Sequence, residues 1–298
     1  MKKINVLVCG ATGFIGRNIV QYLIKDNRYN IIGVWNKRKP YNLNNLKWVK
    51  ADLTKIEDVN KIIKDIDIVI HAAATTSGSK DIVNKPEIHV TDNVLMNSLV
   101  FRAAKENNIK HVIFFSCTVM LQSNNTRALT EEDFDANKKI HPKYFGVGWT
   151  KVYSEKMCEF YSSIGETKFT VIRHSNIYGP FDKFDLDRSH VFGATITKVM
   201  TNTNGKIIVW GSGEEARDLL YVDDLANFVS IAIDQQTEKF GIYNCGYGEA
   251  IKIKDLVKKI ILLSKKDLII EHDLSLPSIN TSLHLDCSKA KKEIGWKK

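Results

Sequence analysis

Gly10-Ala11-Thr12-Gly13-Phe14-Ile15-Gly16 follows a short apolar run at residues 4–8 and opens an amphipathic stretch that continues to about residue 25. Glycine at 10 permits a tight turn, and glycine at 13 lets backbone approach a pyrophosphate. Glycine at 16 allows close packing of helix on sheet, with the anion at the helix N-terminus. A glycine triplet alone marks many ordinary turns. Here a strand precedes it, a helix follows it and the downstream pattern agrees. The stretch therefore reads as a dinucleotide site formed by Gly10, Thr12, Gly13, Phe14, Ile15 and Gly16.

Outward from that turn, apolar strands recur at residues 31–35, 49–51, 67–70, 112–116 and 169–172. Helical patterns open near Thr54 and run over 86–107 and 149–164. Continuous apolar strands alternating with amphipathic helices predict an α/β chain built on a Rossmann-type doubly wound parallel sheet covered on both faces. Past Asn176 the loops lengthen, at 179–189, 201–205 and 210–217, and the strict alternation is lost. The expected division is a dinucleotide-binding Rossmann domain over 1–175 and a smaller mixed α/β substrate lobe over 176–298, with some segments interleaved. The chain closes on Gly295-Trp296-Lys297-Lys298 without an obvious final helix, which reads as a shortened or missing tail.

With 298 residues, 44% of them hydrophobic and 26% charged, the chain is long enough to bury a substantial core. No apolar run approaches the length that crosses a bilayer, so no membrane partner is expected. The opening Met-Lys-Lys-Ile-Asn-Val-Leu-Val-Cys-Gly is too short and too quickly ended by glycine for a signal peptide, and reads as a buried strand. Cys9, Cys117, Cys158, Cys245 and Cys287 are odd in number and lack metal-ligand spacing, which points to free thiols in a reducing cytoplasm and to no metal. A net charge of +9 raises nucleic acid as a partner. The lysines, however, are spread along the chain rather than gathered in a stripe, so an anionic small substrate or a solvated surface fits better.

Whether the dinucleotide is NAD(H) or NADP(H) stays open on the residues. At the end of the second strand, where a carboxylate would take the ribose hydroxyls of NAD, the chain has Asn36-Lys37-Arg38. Lys37 and Arg38 suit a 2′-phosphate, whereas Asn36 suits a bare diol. Asp52, just after the third strand, is placed to reach adenine or, alternatively, to cap the helix ahead of Thr54.

The Gly-x-x-Gly-x-x-Gly spacing, His71-Ala72-Ala73-Ala74, Ser116, Trp149-Thr150-Lys151 and Asn176-Ile177-Tyr178-Gly179-Pro180 together resemble the extended short-chain dehydrogenase/reductase family, the NAD-dependent epimerases and dehydratases. The C-terminal half is similar to the GDP-L-fucose synthase branch through residues 184–198, Val209-Trp210-Gly211-Ser212-Gly213 and Arg217-Asp218-Leu219-Leu220-Tyr221-Val222-Asp223-Asp224. The resemblance implies a nucleotide-sugar oxidoreductase, with Leu53, Ala72, Ala73 and Ala74 also against the cofactor. It implies that Ser116 binds the reacting sugar oxygen and that Lys151 holds the nicotinamide ribose. Val147 stands where the family carries its proton-transferring tyrosine; Tyr144 lies three residues upstream of it, and Tyr153 two downstream of the lysine. His190 matches a histidine that serves epimerisation in fucose synthases, and Thr118 occupies the position of the paired cysteine. Threonine is far too weak an acid for that step.

By the same resemblance Asn176 and Val191 line the substrate nucleotide, and Lys198 and Arg217 neutralise its diphosphate. Trp210 packs beside guanine or sugar, or else belongs to the core. His190 divides likewise between catalysis and a packing or capping role. The leading expectation is an NAD(P)-dependent oxidoreductase acting at the 4-position of a GDP-linked hexose, deoxyhexose or heptose in surface-polysaccharide biosynthesis. One alternative is a 3,5-epimerase/4-reductase of the fucose-synthase kind; another is a catalytically silent dinucleotide-binding sensor or scaffold. Pairing through the helices at 86–107 and 149–164, as homodimer or homotetramer, is implied by the family.

Overall fold

Continuous apolar strands need cover on both faces, and this chain supplies it by alternating strands with helices. The computed structural model describes residues 3–76, 84–124, 126–186, 189–276 and 281–298. Its first part runs β1 (Ile4–Cys9), α1 (Phe14–Leu23), β2 (Tyr29–Trp35), β3 (Lys47–Lys50), α2 (Ile56–Ile62), β4 (Ile68–His71), α3 (Thr91–Glu106), β5 (His111–Cys117), α4 (Phe145–Ser163) and β6 (Lys168–His174). There follow β7 (Asn176–Tyr178), α5 (Val191–Met200), β8 (Lys206–Trp210), β9 (Ala216–Tyr221), α6 (Val222–Gln235), β10 (Phe240–Cys245), β11 (Ala250–Lys252), α7 (Ile253–Ser264), β12 (Ile269–Asp273) and α8 (Ser288–Glu293). Among the described residues seven strands form one parallel sheet in the order β10-β6-β5-β4-β1-β2-β3. The strand order reverses between β1 and β4, which opens a crevice at the carboxyl ends of those strands, the place where such sheets take their ligands.

Strand alternation divides the core. Val6, Val8, Ile113, Phe115 and Ile172 face the layer that contains α1, α6 and α8, whereas Leu7, Cys9, Val112, Phe114 and Val171 face α3 and α4. The outermost strand, β10, comes from beyond residue 175 and pairs in parallel with β6, and Tyr22 of α1 donates to Asn227 of α6 at 3.0 Å. The remaining C-terminal elements build a β11-β9-β7 sheet and a β12-β8 pair, with α5 and α7 packed on Val199, Ile207, Val209, Ile253 and Val257. Among the described residues no helix is long and apolar enough to cross a membrane.

Three boundaries differ from expectation for physical reasons. The pattern over 86–107 breaks into a 3-10 turn, Pro86–His89, and then α3. The buried Asn93 amide pins that break, donating to His89 O at 2.9 Å and to Thr75 O at 3.0 Å while accepting from Thr75 N at 2.8 Å. α4 starts at Phe145 rather than 149, taking in Gly146 and Gly148 despite their poor helix propensity. A Cβ at 146 would lie 2.9 Å from Val90 Cγ2, and one at 148 would lie 3.0 Å from Ile140 Cγ2. Close packing, not propensity, thus favours glycine there. The third correction is at the end of the chain, which does carry a helix, α8, too short for periodicity to register. Behind it Trp296 is buried, 5.2 Å from Phe228 between ring centroids, with its Nε1–H donating to Asp224 O at 3.3 Å.

Candidate active site

The crevice begins at the glycine turn. Gly10 has φ +77°, and a Cβ there would stand 2.7 Å from Ala72 O and Ala73 N at the end of β4. A Cβ on Gly16 would stand 2.3 Å from Gly10 O. Gly13 is the N-cap of α1 and brings no side chain to the first turn, so the helix's own N–H groups face the space where an anion fits. This cradle of bare backbone fits a pyrophosphate. Thr12, Phe14 and Ile15 lie within the same turn.

Around it stand the carboxyl ends of the neighbouring strands. Asn36, Lys37 and Arg38 are exposed just past β2, and Arg38 Nη1 donates to Thr12 O at 3.1 Å, tying that loop to the turn. Asp52 Oδ1 accepts from Thr54 N at 3.1 Å and from Thr54 Oγ1 at 2.7 Å, closing a turn ahead of α2, whose N-cap is Lys55. These bonds, Thr54 first, hold its carboxyl below the usual range. Leu53 is buried in the α3-side core. Ala72 N donates to Cys9 O at 3.1 Å, and the line Ala72, Ala73, Ala74 passes from half-buried to exposed beyond β4.

At β5 the parity of the strand decides which groups meet the crevice. Ser116 shares the face of Phe114, so it points beneath the sheet toward α4 and is fully buried, its hydroxyl donating to Glu155 Oε1 at 2.6 Å. Glu155 also holds Arg173 of β6, through Nε at 3.0 Å and Nη2 at 2.7 Å, and Arg173 Nη1 reaches Glu131 O at 2.6 Å. Sequence reasoning missed this buried network. Its only hint was that Glu155 follows Lys151 by four residues and so shares its helix face. Lys151 Nζ donates to Phe115 O at 2.8 Å and lies 5.0 Å from the centroid of the Phe114 ring.

One residue pair along, the chain leaves the sheet and a cleft opens. It is lined by Thr118, Val119, Leu121, Tyr144, Ser175, Asn176, Ala216, Arg217, Asp218, Thr281 and Leu283. Thr118, Asn176 and Arg217 are thus brought together from three separate segments. Arg217 Nη1 donates to Ala216 O at 2.9 Å and also to Thr281 O. Asp218 accepts from Tyr247 N at 2.7 Å, Gly248 N at 3.1 Å and Leu285 N at 3.1 Å. Ser175, Thr281 and Leu283 escaped the sequence reading; Ser175 had one signal, its place directly before Asn176.

The other candidates sit apart from that lining. Val191 opens α5 and packs on the α5–α7 core. Lys198 Nζ donates to Ile208 O at 3.0 Å and stands 5.3 Å from the Trp210 ring centroid, with burial pulling its pKa down. His190 is the N-cap residue of α5 and keeps an exposed edge. Desolvation, with the charges of Lys183 and His89, holds its imidazole below the usual value. His174, at the end of β6, donates from Nδ1 to Ser175 O at 2.7 Å, and burial lowers its pKa to about 4. Of the block 184–198, residues 187 and 188 lie outside the described residues. Among the described residues no group of three or more His, Cys, Asp or Glu side chains could hold a metal ion.

A doubly wound parallel sheet with a bare glycine cradle at its switch point defines a dinucleotide-binding α/β protein. Residues 6–246 match the NAD dependent epimerase/dehydratase family, and the chain belongs to it. A nicotinamide dinucleotide is therefore its cofactor. The chain is 27% identical to the GDP-L-colitose synthase of Yersinia pseudotuberculosis, across 98% of its own length and 92% of that protein. It is 26% identical to the GDP-L-fucose synthase of Sinorhizobium fredii, across 98% and 90%. Among solved structures, the UDP-glucose 4-epimerase of Thermotoga maritima superposes with a TM-score of 0.87 at 24% identity, covering 99% of this chain and 93% of that one.

Proposed function

We propose that this chain is an NAD(P)-dependent oxidoreductase acting at the 4-position, alcohol or ketone, of a GDP-linked hexose, deoxyhexose or heptose. The observation that carries the reading is the cleft beside the cofactor crevice, where Thr118, Tyr144, Ser175, Asn176 and Arg217 converge. The two GDP-sugar synthases similar to this chain over nearly its whole length support the guanosine nucleotide. When bound, the nicotinamide supplies or takes the hydride. The chain's own residues do the rest. The backbone of residues 10–16 cradles the pyrophosphate, and Lys151 of α4, its Nζ on Phe115 O of β5, orients the nicotinamide ribose. Arg217, turning from the carbonyls it now holds, neutralises the sugar diphosphate. Lys37 and Arg38, exposed past β2, with Arg38 tied to the turn through Thr12, suit a 2′-phosphate and favour NADP(H).

The test is absorbance at the reduced-nicotinamide band with each dinucleotide and a panel of GDP-, dTDP- and UDP-linked sugars and their 4-keto forms. The expected outcome is turnover with a GDP-sugar pair and a lower KM for NADPH than for NADH. No change with any GDP-sugar would sink the reading, and turnover with UDP-sugars alone would replace the nucleotide.

A further inference from the structure

The sequence leaves position 147 without a proton-carrying atom, and the two nearest tyrosines now separate. Tyr153 is 41% exposed on the outer face of α4, with its hydroxyl 3.4 Å from Ser98 Oγ of α3. Tyr144 lines the substrate cleft with Thr118, Ser175, Asn176 and Arg217. Tyr144 is the N-cap residue of α4, and seven residues make almost two turns of helix, so it shares a stripe with Lys151, about one turn beyond position 147. Gly148, between them, puts no side chain in the way and is packed against Ile140.

The other groups lining the cleft are unsuited to donate the proton. The oxygens of Asp218 are taken by three backbone N–H groups, and the guanidinium of Arg217 is engaged with the carbonyls of Ala216 and Thr281. Thr118, Ser175 and Thr281 carry aliphatic hydroxyls, which donate hydrogen bonds but are far too weak as acids. A phenol alone among the lining groups has suitable acidity. Ser175 adds a second, independent observation: it lines the same cleft, is 3% exposed, and its buried Oγ has no hydrogen-bond partner. A buried hydroxyl in a native fold calls for a partner, and a sugar oxygen in the cleft provides one.

We propose that Tyr144 is the catalytic acid and base of this cleft, and that Ser175 Oγ–H holds the reacting sugar oxygen beside it. The assignment rests on the oxidoreductase reading. In reduction, the ketone carbon gains a hydride with its electron pair from the reduced nicotinamide, and the ketone oxygen takes the Tyr144 proton. The phenolate is reprotonated from solvent, and oxidation runs the same steps in reverse. Burial raises the Tyr144 pKa, the Arg217 charge on β9 opposes it, and Cys117 at the end of β5 adds to it. His141 lies 5.6 Å away between ring centroids, Asp218 lines the same cleft, and Cys287 packs on the same apolar cluster as Tyr144. Reduction is therefore flat at low pH and falls about tenfold per unit above the tyrosine's pKa.

The experiment compares wild type with Tyr144→Phe, Tyr153→Phe and Ser175→Ala, and follows 13Cζ-labelled tyrosine by NMR in the cofactor-free protein as GDP-sugar is added. Expected for Tyr144→Phe is a kcat loss of about 100-fold or more with KM changed less than about threefold, together with loss of the alkaline limb. Ser175→Ala loses about tenfold, Tyr153→Phe keeps wild-type rates, and the Tyr144 resonance moves on sugar binding. A kcat within threefold of wild type for Tyr144→Phe overturns the assignment and leaves the functional reading standing, as does a Tyr144 resonance that ignores the sugar. A wild type inactive on every nucleotide sugar removes both.

Discussion

Two glycine-bearing helix starts border the crevice, and they are built on different principles. At α1 a Cβ on Gly16 would meet Gly10 O at 2.3 Å, Gly10 C at 2.8 Å and Ala11 Cα at 3.1 Å, all of them backbone. At α4 a Cβ on Gly148 would meet Ile140 Cγ2 at 3.0 Å and Cδ1 at 3.1 Å, both side-chain methyls, with backbone no nearer than Met120 Cα at 3.6 Å. A side chain can turn aside, whereas a peptide group locked into a strand end cannot. The cofactor end is therefore rigidly prescribed, and the chemical end is assembled from side chains that can be exchanged while the frame stays put. On the proposed assignment, that difference lets an intact glycine turn coexist with Val147 and with Tyr144 one turn away.

The largest stability effect should come from the side-chain frame beneath the chemical end. Glu155→Gln leaves Arg173 buried with an uncompensated charge, since both residues of the pair are nearly inaccessible. Removing one partner of such a pair costs about 3–5 kcal/mol, readable as a shift of the urea midpoint. A change under 1 kcal/mol would mean that the frame is as replaceable as the groups above it. Next comes Gly16→Ala, expected to cost about 3 kcal/mol, the upper end for overpacking, and to weaken dinucleotide affinity at least about 100-fold by calorimetry. Unaltered affinity would erase the contrast between the two helix starts. The smallest effect is expected for Gly148→Ala. A gain in helix propensity of about 1 kcal/mol offsets the crowding of Ile140, so thermal stability should shift by no more than about 1 kcal/mol either way. A cost as large as that of Gly16→Ala would show that α4 is prescribed as tightly as α1.

The cofactor end was legible in the sequence because its signals are local. Strand, turn and helix lie within residues 4–25, and the alternation that follows is periodic. Asp52 was legible only as two alternatives, adenine contact or helix cap; its bonds close a turn with Thr54, and the N-cap of α2 is Lys55. Ser116 shows the limit. Its position at the end of β5 marked it for the sugar oxygen, but the parity of that strand turns its hydroxyl toward Glu155. The partnership of Glu155 with Arg173 is set by how α4 lies on β6 and has no sequence signature. Arg217 was found through its block, while Thr281 and Leu283, which share its cleft, come from a loop far along the chain with no motif of its own.

By itself the sequence determined the parallel sheet, the glycine turn and the kind of cofactor, because periodicity and backbone sterics act over a few neighbouring residues. Only the tertiary structure decided which hydroxyls reach the cleft lined by Thr118, Tyr144, Ser175 and Arg217. That choice depends on strand parity and on the docking of α4, β6, β9 and the segment at 281–283 against one another, and no short stretch of chain encodes it.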